Sequence, residues 1–328
     1  MKIGKIPSDA LKRIIYSNIS NNRPEVMVRP NIGEDCSVID FDKYGAVIST
    51  DPITGTTNDI GSLAVHINCN DIASNGVEPL GIMLTILAPP ETTEEDLAKV
   101  MADANKAAAS INVEILGGHT EITTAVNQMV ISGTAIGRQL KDKVILSKGA
   151  QVGDAVIMTK HAGLEGASII SNDLEDKLKS TLTQDEIKNA QSFAKDISVV
   201  KEGVIAGNIG TSSMHDVTEG GVLGALWELA EASQLGIKVF SEQIPLKKET
   251  KTICEFFSIN PFKLISSGVM IMTISEDKVK LLLDSLKNEK IDATVIGKIT
   301  EKDRVVVKDN EALRLDPPDA DELYKVIG

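Results

Sequence analysis

Residues 68–76 read NCNDIASNG, a polar stretch inside a segment that otherwise has the pattern of a buried helix. The preceding DIGSLAVHI is largely apolar, and the periodicity predicts a helix over 59–75. Burying polar groups costs free energy unless hydrogen bonds or an ion compensate it. Asn68 and Asn75 lie three residues before and four after Asp71, so a helix places three oxygen-bearing side chains on one face. We expect Asp71 to point inward and hold Mg²⁺ against phosphate oxygens, and a solvated face is the alternative.

The composition indicates a globular chain that binds neither nucleic acid nor an anionic membrane. Its 328 residues are 42% hydrophobic and 25% charged, which favours two domains. With 47 acidic and 34 basic residues the net charge is −13, so there is no basic stripe to neutralise a phosphate backbone. A divalent cation held by carboxylates reverses the local sign of the potential, which keeps nucleotide binding compatible with this charge.

Cysteine usage and apolar runs indicate the compartment. The three cysteines form no C-x-x-C pair, which argues against a disulfide scaffold or a structural zinc site and favours a reducing cytoplasm. The amino-terminal residues lack the apolar run of a signal peptide, and the longest apolar stretch, PLGIMLTILAPP, is too short to cross a bilayer.

Helix and strand signals alternate irregularly, which predicts a mixed α+β or α/β fold. Strands are predicted at CSVID, GAVIST, LGIMLTIL, VEIL, NQMVISGTAIG, DAVIMT, LISSGVMIMTI, ATVIGKI and RVVV. Helices are predicted at 8–19, 59–75, 92–111, 162–171, 184–194, 219–234 and 276–288, with Thr92 and Glu95 at capping-box spacing. Glycines in LSKGAQVGDAVIMTK place the domain boundary at 147, giving domains 1–147 and 148–328. A short echo between DIASNGV and DVTEGGV raises the hypothesis of two related lobes sharing one site.

Three further aspartates are candidate ligands because they lie beside glycines or at strand ends. Asp35 follows Gly33, Asp51 ends an apolar strand before a proline, and Asp216 precedes the glycines of MHDVTEGG. Each also has an ordinary structural interpretation as a turn residue. Mg²⁺ accepts scattered carboxylates of this kind.

Two glycine pairs could approach phosphates. Gly117 and Gly118 in LGGHTEIT follow a strand, and His119 or Thr120 could then contact an oxygen or move a proton; a surface turn is the alternative. Gly220 and Gly221 stand at a helix start, where N–H groups favour an anion, or simply begin a core helix. Neither a P-loop nor a strand-linked G-x-G-x-x-G is present.

Cys36 and the other three histidines are not predicted to be catalytic. Cys36 lies between apolar strand residues and is interpreted as core packing rather than as a nucleophile. His66 and His161 are interpreted as ordinary residues, and His215 as a residue that supports the neighbouring Asp216.

Five motifs in order, IGEDCSVI, STDPITG, NCNDIASNGVEPLGIML, LGGHTEI and MHDVTEGGVLGALWELAEASQLGI, resemble the superfamily of aminoimidazole ribonucleotide (AIR) synthetase, the hydrogenase maturation factor HypE, selenophosphate synthetase and thiamine-monophosphate kinase. The resemblance implies a two-domain AIR synthetase-like (PurM-like) fold, a homodimer formed through the N-terminal sheet, and ATP bridged by Mg²⁺ between the domains. It assigns phosphate or Mg²⁺ binding to Asp35, Asp51, Asp71 and Asp216.

Within the superfamily the chain looks most like HypE, through GKIPSDAL, IGEDCSVID and DVTEGG. It departs from HypE because no cysteine follows Cys254, so HypE's carboxy-terminal thiocyanate is not expected. His119 replaces the aspartate of HypE and matches a segment of selenophosphate synthetase, whose glycine-rich amino terminus is absent from MKIGKIPSDALK.

The sequence therefore predicts a Mg²⁺-dependent, ATP-using enzyme that activates an amide, acid or phosphate oxygen by phosphoryl transfer. Asp71 and His119 are the candidate catalytic residues. The acceptor is an unidentified small molecule or protein terminus. The alternatives are an AIR synthetase-like purine enzyme and a non-catalytic ATP-binding module in metalloenzyme maturation.

Overall fold

The computed structural model describes residues 6–54 and 59–327 and shows two β-sheets, one from each half of the chain. Gly55 of STDPITG and the first two residues of GKIPSDAL lie outside the described residues. The first sheet has the strand order β1-β2-β3-β6-β4-β5. Its strands are β1 Val26–Val28, β2 Ser37–Phe41, β3 Tyr44–Ile53, β4 Pro79–Ala88, β5 Glu114–Ile122 and β6 Val130–Leu140.

Two helices, α2 Ile60–Ser74 and α3 Glu94–Ser110, cover one face of this sheet. The alternating burial of β3 and β6 follows from that packing, because every second side chain enters the core. The other face, called here the outer face, carries apolar side chains that remain exposed in the single chain. Met83 on β4 and Leu116 on β5 are 51% and 54% exposed.

The second sheet has seven strands in the order β13-β12-β9-β11-β7-β10-β8. They are β7 Ala155–Thr159, β8 Ser213–Val217, β9 Gly236–Phe240, β10 Val269–Ile274, β11 Ala293–Thr300, β12 Arg304–Lys308 and β13 Glu311–Arg314. Strand β8 is at the edge of the sheet, yet all five of its residues are buried because α2 packs beside it. This contact brings the first half of the chain against the strand that carries Asp216.

The remaining helices are mostly in the second half. They are α1 Ser8–Ala10, α4 Leu164–Asp173, α5 Glu175–Leu178, α6 Gln184–Gln191, α7 Val200–Ile209, α8 Gly221–Ala232, α9 Lys248–Phe257, α10 Val279–Asn288 and α11 Tyr324–Ile327. A π-helical turn Leu11–Ile15 and a 3-10 turn Tyr16–Asn18 continue α1, and residues 8–18 are called here the N-terminal helical segment. Within the described residues, no helix is both long and apolar enough to cross a bilayer.

The two halves are joined by a close seam between α2 and α7. Asn70 donates from Nδ2 to the Ile197 carbonyl at 2.9 Å and accepts from the Val199 amide at 2.8 Å. Gly203 on α7 lies so near α2 that an added Cβ would stand 2.2 Å from the Ala73 carbonyl oxygen. A glycine is therefore required at that position for the two helices to touch.

Several predicted elements need correction. The capping box of α3 is formed by Thr93 and Asp96, one residue later than predicted, because the Thr93 side chain accepts from the Asp96 amide. Helices α7 and α9 and strands β8 and β9 were not predicted. The echo between DIASNGV and DVTEGGV does not mark equivalent positions, since Asp71 is in helix α2 and Asp216 is in strand β8. The boundary at 147 stays a prediction.

Candidate active site

A cavity of about 1280 Å³, called here the cleft, lies between the two halves. Four of the predicted ligands line it: Asp35, Asp51, Asp71 and Asp216. The first three come from the first half, and Asp216 comes from β8 in the second. Acidic side chains of Glu34, Glu219 and Glu228 line the same cavity. One chain therefore gathers carboxylates that are distant in sequence, since Glu34 and Glu228 are 194 positions apart.

Asp71 reaches the cleft from the last turn of α2 and is 5% exposed. The Ser49 hydroxyl donates to its Oδ2. Burial and the charges of Asp216, Asp51 and Asp35 raise the Asp71 pKa well above its ordinary value, because each of them disfavours the ionised form. A cation in the cleft would reverse this effect and favour the carboxylate.

The asparagines of NCNDIASNG have a different role from the one predicted. Asn68 does not line the cleft; its Oδ1 accepts from the Asp51 amide at 2.8 Å, and its Nδ2 donates to the Asp51 carbonyl at 3.3 Å. Asn75 donates to the Ile145 carbonyl at 2.5 Å. The three asparagines of this segment thus satisfy main-chain groups on neighbouring segments, and Asp71 alone of the polar group enters the cleft.

His215 bridges two carboxylates at the base of the cleft. Its Nδ1 lies 2.8 Å from Oδ1 of Asp35, and its Nε2 lies 3.1 Å from Oε2 of Glu228. Burial lowers the His215 pKa, but the charge and hydrogen bonds of Asp35 and Glu228 outweigh burial and raise the pKa well above its ordinary value. An imidazole that donates from both nitrogens has no lone pair for a metal. His215 therefore orients Asp35.

The donor set of the cleft fits a hard cation. Asp35, His215 and Asp216 each offer one potential ligand atom, and these three atoms lie within 4.8 Å of one another. Because both nitrogens of His215 are hydrogen-bonded to carboxylates, the carboxylates of Asp35 and Asp216 remain as ligands for a cation. Both carboxylate oxygens of Glu34 are buried without a hydrogen-bond partner among the described residues. Burial raises the Glu34 pKa, although the positive charge of Lys148 opposes the rise. Oxygen donors of this kind suit Mg²⁺.

The residues predicted around the first glycine pair are not in the cleft of the same chain. Gly117, Gly118, His119 and Thr120 lie on strand β5, which extends through EILGGHTEI instead of ending in a turn. Across the sheet Asp51 pairs with Gly133, Gly133 pairs with Leu84, and Leu84 pairs with Gly118. Three strand spacings separate Asp51 from Gly118 by about 14 Å.

His119 lies on the outer face as well as far from the acidic group. It pairs with Thr85 of β4, two positions after Met83 on the same face. Its side chain is 70% exposed and lies 3.7 Å from Glu121. His119 therefore does not line the cleft of its own chain.

The second glycine pair begins α8 as predicted, but its first amide is engaged. The Gly220 N–H donates to Asp321 Oδ2 at 2.7 Å, and Asp321 also accepts from the amides of Ile265 and Leu323. Burial raises the Asp321 pKa to about 6. The Gly220 amide is thus capped by the chain's own carboxylate, and phosphate binding at Gly220 and Gly221 stays a prediction.

His215 was predicted only to support Asp216, and Glu228 was not predicted to have a role. His215 belongs to a strand that was not predicted, and Glu228 lies in the interior of α8, seven residues after Gly221. A histidine next to a candidate metal ligand was the one available signal. Cys36 is buried, its thiol donates to the Asp71 carbonyl, and burial raises its pKa well above the ordinary value, as suits a packing role. Burial lowers the pKa of both His66 and His161 to about 4, and neither lines the cleft.

Comparison with known families gives two matches that together span most of the chain. Residues 33–139 match the N-terminal domain of AIR synthase related proteins, and residues 151–310 match the C-terminal domain. A protein of Methanocaldococcus jannaschii, named provisionally for hydrogenase expression and formation, is 27% identical over 93% of this chain and 90% of its own length. The carbamoyl dehydratase HypE of Bradyrhizobium diazoefficiens is 27% identical over 84% of this chain and 80% of its own length.

Solved structures show the same fold. A chain of a HypE–HypF complex superposes with a TM-score of 0.78 at 23% identity, and the match covers 94% of this chain and 99% of that one. HypE in complex with ATP superposes with a TM-score of 0.72 at 22% identity, covering 97% and 96%. These likenesses confirm the predicted two-domain architecture.

Proposed function

Because the chain belongs to the AIR synthase related family, we propose that it is a Mg²⁺-dependent enzyme that uses ATP to phosphorylate an oxygen of an amide, acid or phosphate substrate. The observation that carries this proposal is the convergence of Asp35, Asp51, Asp71 and Asp216 from both halves on one cavity. Relatives of the chain include a carbamoyl dehydratase and a thiamine-monophosphate kinase. Activation of an oxygen by a phosphoryl group is chemistry that serves both reactions.

The chain's own residues would act mainly by positioning. Asp35, Asp51, Asp71 and Asp216 would hold Mg²⁺, which neutralises phosphate charge when bound. His215 keeps Asp35 oriented through a 2.8 Å contact, and Asn68 fixes the main chain of Asp51. Because these groups are set before substrate arrives, little reorganisation is needed during phosphoryl transfer.

A homodimer would bring His119 to the cleft. The outer face presents the apolar Met83 and Leu116 beside His119, and a sheet face of this kind is normally covered in a folded protein. A second copy seated on it would place the partner's His119 near the phosphates of this chain, for proton transfer or γ-phosphate contact. The glycines of β5 would then permit close main-chain approach.

The test is ATP turnover by the Asp71→Asn variant. We expect ADP release by the wild type with Mg²⁺ and an amide, acid or phosphate acceptor, and a loss of at least about 100-fold in the variant, because a neutral amide binds the cation poorly. The fold should persist, since Asn resembles the protonated carboxyl that burial favours at this position. Circular dichroism melting checks that point.

The matched control is Asp142→Asn, an exposed aspartate of the same half, which should leave turnover unchanged. Unchanged turnover in Asp71→Asn would remove Asp71 from the mechanism. Tight MgATP binding by the wild type without turnover on any acceptor would instead identify a non-catalytic nucleotide-binding module.

A further inference from the structure

The charge of the cleft is strongly one-sided. Nine acidic side chains line it, namely Asp9, Glu34, Asp35, Asp51, Asp71, Asp216, Glu219, Glu228 and Asp319. Among the described residues of the lining, Arg13 is the one arginine or lysine. Mg²⁺ in the cleft would offset part of this charge, but a triphosphate would add about four negative charges of its own. A positively charged side chain near the phosphates therefore contributes more to the binding free energy here than it would in a cleft of mixed charge.

Arg13 belongs to the N-terminal helical segment, which forms one wall of the cleft. The residue stands in the π-helical turn Leu11–Ile15, a geometry that is frequent at functional sites. Lys12 anchors the segment to α8 through a 3.1 Å hydrogen bond to Glu231. Tyr16, one turn further on, lies near Glu228, whose charge together with burial raises the tyrosine pKa. The segment is thus docked along α8 beside the carboxylates that hold His215.

The guanidinium of Arg13 is available for a ligand. Its side chain is 69% exposed and forms an ion pair with the exposed Asp9, in which Nη1 lies 3.6 Å from Oδ2, longer than a hydrogen bond. Exposed ion pairs of this kind are weak, so a phosphate can displace Asp9. Arg13 makes no side-chain hydrogen bond to any residue the structure describes. Five N–H donors in a planar fork match the oxygens of a phosphate group.

We propose that Arg13 binds a phosphate group of the nucleotide, so that the N-terminal helical segment completes the phosphate site from the rim of the cleft. This inference rests on the proposed use of ATP. It assigns a residue outside the two matched family domains, whose first begins at residue 33. Arg13 acts by direct contact with the ligand, and Lys12 positions the segment that carries it.

The experiment compares binding of MgATP and of adenosine by isothermal titration calorimetry. Arg13→Ala should weaken MgATP binding about tenfold, the effect of one charge-assisted hydrogen-bonding group, and leave adenosine binding within about twofold. Arg13→Lys should recover part of the loss because it keeps the charge but not the fork. Arg29→Ala is the control, since Arg29 is an exposed arginine that does not line the cleft although its neighbour Pro30 does.

Two results would overturn the assignment. One is MgATP binding by Arg13→Ala within about twofold of the wild type. The other is an equal loss for adenosine and MgATP, which would mean that the substitution merely disturbs the segment; melting temperatures of the variants monitor the fold. A wild type that binds no MgATP would overturn the proposed function, and the assignment of Arg13 with it, whereas binding by the wild type keeps the two questions separate.

Discussion

Asp71 and Asp216 in the cleft are 5% and 2% exposed, whereas the His119 side chain on β5 is 70% exposed. The cleft is assembled within one chain, because α2, β3 and β8 meet there. Strand β5 is at the sheet edge, and its candidate residues face solvent next to exposed apolar side chains. The residues predicted for one site thus lie in two different settings, a buried acidic group and an exposed strand. The proposed homodimer would bring them together.

A mixing experiment tests this division most strongly. His119→Ala should lower turnover about 100-fold, the scale of a lost proton-transfer group, and Asp71→Asn should be at least as severe. If His119 serves the neighbouring subunit, a mixed dimer of the two variants has one intact site, so an equal mixture that exchanges subunits should regain about a quarter of wild-type turnover. Steady-state ADP release measures the recovery.

No recovery in a mixture shown by mass spectrometry to contain mixed dimers would contradict the division, because it would mean that both residues serve one chain. An equal mixture of Asp71→Asn with Asp216→Asn is the control. Asp71 and Asp216 line the same cleft of one chain. In a mixed dimer each cleft therefore lacks one of the two aspartates, and no recovery of turnover is expected.

The outer face offers a second test. Met83→Lys places a charge on the face proposed for dimerisation and should convert the protein to a monomer, with turnover reduced about tenfold or more because each cleft loses its partner's β5. Sedimentation velocity measures the mass, and ADP release measures the activity.

Leu281→Lys is the matched control, since Leu281 is 56% exposed on α10 in the other half of the chain. It should leave the mass unchanged. A Met83→Lys variant that keeps the wild-type mass would remove the outer face from the proposed interface.

Glu165 is a third case, because its carboxyl is buried like those of the cleft but does not line the cleft. Burial, with smaller contributions from Asp321 and Glu219, raises its pKa to about 7, although hydrogen bonds from Ser267 oppose the rise. Because the folded pKa exceeds the ordinary value of 4.5, its stabilising contribution is complete below pH 4.5 and is lost as pH rises through 7.

Glu165→Gln should therefore raise the free energy of unfolding at pH 8 by on the order of 3 kcal/mol at most, and by much less at pH 5. Chemical denaturation at both pH values measures the difference. The exposed Glu255→Gln should show none. An effect independent of pH would mean that the gain comes from packing and not from the lost charge.

The sequence predicted the parts of the molecule that depend on local pattern. Helix α2 and most strands follow from periodicity, and Asp71 was assigned to the cleft because a polar residue in an apolar helix needs a compensating partner. Asp35, Asp51 and Asp216 were singled out by their positions beside glycines or at strand ends. The family resemblance added their predicted role in phosphate or Mg²⁺ binding and the two-domain fold, which the comparisons confirm.

The contacts that were missed join residues distant in sequence. His215 meets Asp35 across 180 positions, and Asp321 caps Gly220 across 101. No local pattern encodes either pair, because each depends on how two sheets and a carboxy-terminal segment pack. The extent of β5 was missed for a related reason: its glycines resemble a turn, and only the pairing with β4 shows that they continue a strand.

The seam between α2 and α7 limits how the halves of related proteins can be exchanged. Its two hydrogen bonds join a side chain of the first half to main-chain groups at positions 197 and 199 of the second, and Gly203 sets the spacing between the helices. A chimera that draws its halves from two relatives would inherit an unmatched seam next to Asp71. The two halves of this chain should therefore be exchanged together, as one unit.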